Sequence, residues 1–350
     1  MAIPTEPIGS IPRPQRLIDA VQKKSPADVL EPLFDEAVRD TLRGFEKTGS
    51  LVLTDGEQCK PSFVTYPIAG LAGLSDGGIT IPFADGHQRQ LPQIARGPFR
   101  YRVYADGYLA RARKHTKLPV KQAVISPSAI SLLYPAEGIA DYSREKFLGD
   151  VVREAETDIR RCLAAGADSV QIDFTEGRLS LKLDPSGQLL EDFVAINNEV
   201  LGKFTEAERA RIGVHTCPGG DHDSTHSLDV DYAELLPRLF QHRVGRFYLQ
   251  LASEADPNRV LQLVAQHLPP GARVFVGVTD PIDPRVESPE EVRDRVLAAA
   301  RHIPVNQLGT CDDCGFAPFG DDVSTSRELA FAKITARVRG TALAAKELGV

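Results

Sequence analysis

Two segments hold the residue types best suited to bond-making chemistry. In residues 213–226, "GVHTCPGGDHDSTH", His215 and Cys217 stand two apart at the end of an apolar run. On a strand, residues two apart project to the same side. An imidazole nitrogen and a thiolate sulfur on one side suit a zinc ion, at about 2.0 and 2.3 Å respectively. Cys314 closes a later apolar run, in "GTCDDCGF", and supplies a third donor where the two runs end on one rim. Three protein donors leave a tetrahedral ion one position for a reactant. Two thiolates blunt its Lewis acidity, so such an ion is better suited to holding an incoming thiol as a nucleophilic thiolate than to making hydroxide. The chemistry to expect is alkyl transfer to sulfur. Cys311, three residues before Cys314, keeps two alternatives open: a closed structural site with four donors, or a redox pair. His222 and His226 read as solvated loop histidines, Cys162 as a small core residue and Cys59 as a bystander.

These donors need a scaffold that brings strand ends together. Eight apolar runs punctuate the chain: "IPTEPIGS", "LVLTDG", "VKQAVIS", "SVQIDF", "RIGVHTC", "RFYLQLAS", "RVFVGVTD" and "VNQLGTC". Amphipathic segments lie between most of them. In residues 143–165, Phe147, Val151, Val152, Ala155, Ile159, Cys162 and Leu163 recur at helical spacing, and Gly166 is placed to end the helix. Ser288-Pro289-Glu290-Glu291 reads as an N-cap, a first-turn proline and a capping-box glutamate. A last helix starts near Ser326. This alternation predicts an α/β chain folded as a single (β/α)8 TIM barrel over 1–350. Residues 57–118 are too long for a plain loop and contain Asp85-Gly86, a hairpin turn signal, so they read as an insertion after strand 2 that covers the barrel mouth. Barrel chemistry collects at the C-terminal strand ends. Those ends carry Ser10, Asp55-Gly56-Glu57, Ser126, Asp173, His215, Cys217, Gln250, Asp280 and Cys314. The acids Asp312, Asp313, Asp321 and Asp322, with Glu176 and Arg178, read as solvated loop charges.

Composition narrows the partners. The chain has 350 residues, 42% of them apolar and 25% charged, with a net charge of −7. No basic stripe is present, so no nucleic acid is expected. No apolar run approaches about 18 residues, so no membrane span is expected. The first residues lack the basic and apolar regions of a secretory signal. Five cysteines, too few and odd in number for a disulfide framework, suit a reducing, cytoplasmic setting. The oligomeric state is not legible.

Taken in order, "EPIGSIPRP", "TDGEQ", "VQIDFTEG", "HTC" and "DDCGF" resemble the catalytic barrel of the cobalamin-independent methionine synthase family, over nearly the whole chain. The resemblance implies a short, single-barrel member that binds Zn2+ and methylates the thiol of homocysteine. It implies His215, Cys217 and Cys314 as zinc ligands. It also implies Ile8, Gly9 and Ser10 around the substrate carboxylate, and Glu57 and Asp173 around its ammonium, pairings that make physical sense. Three positions depart from the family. Gln250, a neutral donor, stands where a glutamate ligand is expected, with Glu254 four residues on. Ile282 stands where the family has a proton-transfer histidine, leaving Asp280 and Asp283 as the nearest acids, with an ordinary pKa of about 3.9. The chain has no tryptophan to stack on a pterin. The methyl donor therefore stays open among a methyl-folate, a corrinoid protein and a small methylated metabolite. The alternatives are a zinc thiol alkyltransferase like epoxyalkane:coenzyme M transferase, and a non-catalytic barrel with a structural zinc.

Overall fold

A computed structural model describes residues 2–350. Four short strands come first: β1 (Leu74–Ser75), β2 (Thr80–Pro82), β3 (Gln88–Gln90) and β4 (Gln93–Ile94). β1 pairs antiparallel with β4, and β2 with β3 across a turn in which Gly86 takes a φ of +94°. Six longer strands follow: β5 (Lys121–Ile125), β6 (Ser169–Asp173), β7 (Ile212–Thr216), β8 (Arg246–Leu249), β9 (Arg273–Thr279) and β10 (Leu308–Asp312). They form one parallel sheet in the order β10-β9-β8-β7-β6-β5. Nearly all of their residues are buried, as parallel strands covered on both faces must be.

The first two apolar runs flank this sheet as isolated bridges. Thr5 pairs in parallel with Thr310, and Leu53 with Val120. The first run contains Pro4 and Pro7, which have no N–H to give a ladder. The two runs also touch each other: Ile11 N donates to Gly56 O at 3.0 Å, and Thr54 Oγ1 to Gly9 O at 2.8 Å.

Helices start where the caps foretold. Ser143 Oγ accepts from Lys146 N at the head of Arg144–Ala164. Ser288 and Glu291 make a full capping box before Pro289–Ala300. Ser326 Oγ accepts from Leu329 N ahead of Arg327–Glu347. On this last helix Ile334 is fully buried, while Phe331 and Val338 are partly so. Among the described residues no helix is long and apolar enough to cross a membrane.

The segment before β5 is tied down by acids rather than by apolar packing alone. Asp150, Glu154 and Asp158 lie four apart on Arg144–Ala164 and so form one stripe. Asp150 Oδ2 accepts from Phe99 N at 3.0 Å, Glu154 Oε2 from Tyr101 N at 3.1 Å, and Asp158 Oδ1 from Ala105 N at 2.7 Å. Tyr66 OH also donates to Asp158 at 2.5 Å.

Several charges read as solvated are interior. Asp312 and Asp313 are buried, as are Asp322, Glu176 and Arg178. Asp312 meets Arg337 Nε at 3.0 Å and Thr279 Oγ1 at 2.8 Å. Most have partners that a linear pattern cannot display, while Asp322 is bonded within its own turn by Ser324 N and Oγ; only Asp321 and the exposed His222 match the solvated reading.

Burial pushes the Asp158 carboxyl up to about 6. A carboxyl raised in the folded state contributes stability below its unfolded pKa that is lost as pH rises through the folded one. Replacement Asp158→Asn removes this loss. The variant should gain stability relative to the parent by roughly 2 kcal/mol between pH 4 and pH 7, read from urea midpoints at both pH values. A constant difference would show that Asp158 does not titrate there.

Candidate functional site

The registers of the sheet fix which side chains meet. Asp173 stands opposite His215 across β6 and β7, and Tyr248 stands opposite His215 across β7 and β8. Gln171 and Asp173 share one face of β6; His215 and Cys217 continue the corresponding face of β7. Cys314 arrives just past the end of β10. The ligand atoms of His215, Cys217 and Cys314 lie within 4.8 Å of one another, and the two sulfurs are 3.1 Å apart. His215 Nδ1 faces the carbonyl of Tyr248 at 3.2 Å, which makes Nδ1 the protonated nitrogen. The other nitrogen, Nε2, is buried and has no partner. A buried acceptor without a partner costs about 1–3 kcal/mol, which a metal ion would recover. Nitrogen and two sulfurs, with the second ring N–H on a carbonyl, are a donor set and support suited to zinc.

The two sulfurs share a proton unequally. The hydrogen bond from Cys314 holds the Cys217 thiol well below its ordinary value, against burial and with help from His215. Cys314 is pushed up by the same bond and by burial. Burial opposes charge on His215, but the Cys217 sulfur keeps the imidazole above its ordinary value. A divalent ion bound there would displace these shared protons.

A cavity of about 600 Å³ reaches this group. Its deep end is lined by Ile8, Gly9, Ser10, Glu57, Asp173 and Gln171, together with the three metal donors. Lys60, fully buried, donates to Glu57 Oε1 at 3.1 Å and to Ala123 O at 2.9 Å. Glu57 has a φ of +56°, held by its N–H on Asp55 Oδ1 at 3.0 Å. Burial and the charge of Glu57 push Asp173 up to about 6. Ser10 Oγ accepts from Ala317 N at 3.1 Å, and Gly315 is required beside it, because a Cβ there would stand 2.2 Å from that oxygen.

Other expected residues lie elsewhere. Gln250 is buried, but its Oε1 accepts from Arg178 Nη1 at 2.6 Å and Tyr232 OH at 3.2 Å. Glu254 lies 3.3 Å from Arg178. Cys311 is in a small cluster with Ile8, Tyr248 and Phe275, apart from the three donors. Asp280 lines a second cavity, and its Oδ1 accepts from Ile282 N at 3.0 Å. Asp283 lines neither cavity and accepts from Arg285 N at 2.8 Å.

Three contributors were not read from the sequence. Lys60 carries no spacing signal. Gln171, whose Nε2 donates to Asp173 Oδ1 at 2.7 Å, could have been found from the two-residue period of β6. His226, read as solvated, is buried with an unpartnered Nδ1, lines the first cavity and is pushed down to about 4 by burial. It packs edge-on against Phe83 of the β2–β3 hairpin, a contact across distant sequence.

That hairpin clamps both cysteine-bearing loops. Arg89 Nε donates to Asp221 at 2.6 Å, four residues after Cys217, and Arg89 Nη1 to Asp321 at 3.0 Å, seven after Cys314. Ala84 N adds a bond to Thr225 O at 2.8 Å. Asp313 fixes the neighbouring turn. Its carboxylate accepts from Leu251 N, Ala252 N and Ser253 N, each at 2.8 Å, directly before Cys314.

Comparison with known proteins identifies the family of the chain. The family described as "Cobalamin-independent synthase, Catalytic domain" matches residues 3–334. A methionine synthase of Thermococcus kodakarensis is 24% identical over 352 residues, covering 99% of this chain and 94% of that protein. A 5-methyltetrahydropteroyltriglutamate–homocysteine methyltransferase of Nitratidesulfovibrio vulgaris is 25% identical, covering 89% of this chain and 38% of the longer relative. The solved B12-independent methionine synthase of Shewanella sp. W3-18-1, in complex with selenomethionine, superposes with a TM-score of 0.79 at 22% identity, covering 99% of each chain. With its family match running over residues 3–334, which take in His215, Cys217 and Cys314, the chain belongs to the cobalamin-independent methionine synthase family, by its catalytic domain.

Proposed function

We propose that this chain is a zinc-dependent methyltransferase that methylates the sulfur of homocysteine to give methionine. The observation that carries the reading is the meeting of His215, Cys217 and Cys314 at the deep end of a cavity that also holds Glu57, Asp173 and Ser10. The names of the relatives support the same reaction. A (β/α)8 barrel closed by the two N-terminal runs, formed by a single domain over 1–350 with residues 57–118 as an insertion over its mouth, is the scaffold we assign. The Ile11–Gly56 hydrogen bond and the bridges at Thr5 and Leu53 support it. A reducing, cytoplasmic setting would keep the sulfur pair free of oxidation.

The residues divide the work. His215, Cys217 and Cys314 hold the ion, which when bound lowers the pKa of a thiol and keeps its sulfur nucleophilic. Gln250 is held off as a ligand by Arg178 and Tyr232, so the fourth position is left to the substrate. Glu57 and Asp173 take the substrate ammonium, and Lys60 fixes Glu57 for that task. The Ile8-Gly9-Ser10 backbone and the Ser10 hydroxyl face the carboxylate. Asp280 is the acid on the donor side; Asp283 supports the turn that carries it. A thiol ending in a sulfonate, as in coenzyme M, would meet two carboxylates in this cavity, which favours the amino acid.

Zinc content and X-ray absorption test the first half directly. One zinc per chain is expected, with one nitrogen and two sulfur neighbours, and a third sulfur on adding homocysteine. An unchanged shell with the thiol present would remove the proposal. Cys217→Ser should lose zinc and cut methionine formation on the order of 100-fold or more. For Asp173→Asn the expected result is a rise in KM for homocysteine of about 10- to 100-fold with zinc retained; an unchanged KM would take the ammonium away from Asp173.

A further inference from the structure

Three lysines are buried among the described residues: Lys60, Lys121 and Lys333. Lys60 and Lys333 each meet a carboxylate, at 3.1 and 3.0 Å. Lys121 is placed differently. Its Nζ stands 3.6 Å from Glu6 Oε2, and Glu6 is already held by Arg246 Nη1 at 2.9 Å and Tyr248 OH at 2.7 Å. The short contact of Lys121 is with a neutral amide: Nζ donates to Gln171 Oε1 at 2.7 Å. The ammonium also lies 4.0 Å from the centre of the Tyr248 ring, whose attraction offsets part of the cost of burial.

The other end of the same amide reaches the candidate site. Gln171 Nε2 donates to Asp173 Oδ1 at 2.7 Å. Asp173 Oδ2 takes no hydrogen bond from any described residue and is not sealed off from the first cavity, which Asp173 lines at its deep end. A glutamine amide has two ends of nearly equal shape, one that only accepts and one that only donates. An ammonium has donors and no acceptor, so only the amide oxygen can face it. Burial pushes Lys121 down to about 8, with Glu6 opposing, which leaves it charged at pH 7. With the oxygen committed to Lys121, the N–H side is always the one that meets Asp173. Turned over, the amide would set its oxygen against Oδ1, and the carboxylate would have to swing away.

We propose that Lys121 is a positioning residue for the amino group of the thiol substrate: it locks the Gln171 amide, which pins Asp173 Oδ1 and leaves Oδ2 aimed at the ammonium. The inference rests on the ammonium role given to Asp173 above and adds the two buried side chains that hold it in place. The sign of the effect separates this role from a plain charge effect. A second cation behind an ammonium site repels the ammonium, so as a mere charge Lys121 weakens binding. As a lock on Gln171 it strengthens binding. Tyr248 also bears on His215 through its carbonyl, so the clean probes of the lock are Lys121 and Gln171.

Calorimetry on the zinc-loaded protein with two thiols tests the lock. One is homocysteine; the other is 4-mercaptobutanoate, the same molecule without the amino group. Lys121→Met should weaken homocysteine about tenfold and leave 4-mercaptobutanoate within about twofold of the parent value. Gln171→Met should give the same split, and adding Lys121→Met to it should cost less than about a further twofold, because both act through one hydrogen bond. Gln171→Met leaves the cation in place and carries the test if Lys121→Met fails to fold. Equal weakening of both thiols, unchanged or tighter homocysteine, or a full tenfold further loss in the double variant would each overturn the proposal. Asp173→Asn separates this from the earlier reading. A loss of homocysteine binding there, without one in Lys121→Met or Gln171→Met, sinks only the lock; no loss in Asp173→Asn sinks the ammonium assignment itself.

Discussion

Two sulfurs that are 97 positions apart in the chain come within 3.1 Å of each other, and an imidazole nitrogen of His215 lies within 4.8 Å of both. This meeting depends on parallel registers that hold for six strands in a row. A slip of one residue at β7 would turn His215 and Cys217 away from the rim and bring Val214 and Thr216 in their place. The buried strand faces, filled by β-branched and aromatic residues, set those registers. Their apolar packing therefore supports the chemistry although none of it touches a reactant.

Much of this was legible because periodicity is a local property. The six strands appear where apolar runs end in polar residues, and three helices start at the serines whose capping partners lie three residues on. The pair His215 and Cys217 could be read together because a strand fixes their relative direction. Cys314 could be added only by assuming a shared rim. What escaped was set by contact between distant segments. Asp313 is adjacent in sequence to Cys314 and looks like a loop charge, yet it caps three backbone N–H groups of another strand's exit. Arg178 reads as a solvated loop charge, yet it is buried and draws the Gln250 oxygen to itself. The first two runs pair less extensively than their apolar pattern suggests, and in the first the prolines explain why.

Charge is arranged in the interior with a consistent logic. Buried cations sit where an acid must keep a fixed position: Lys60 on Glu57, Arg337 on Asp312, Lys333 on Glu287 at 3.0 Å. Where a ligand is to be received, acids are left less compensated. Asp173 is the example in the first cavity, pushed toward its neutral form by burial and Glu57, as the proposed receiver of a positive group would be. Such sites hold their geometry at some cost to the stability of the empty protein.

The Arg89 clamp couples two properties that are usually treated apart. One guanidinium grips the loop beyond each metal-binding sulfur, so the hairpin and the sulfur pair share a single set of restraints. If the proposed ion is bound, filling its position would stiffen those loops, and by reciprocity a docked hairpin would raise affinity for the ion. Order in the cover and occupancy of the centre are therefore two readings of one equilibrium, and a chelator would be felt at the rim as increased hydrogen exchange in residues 80–90.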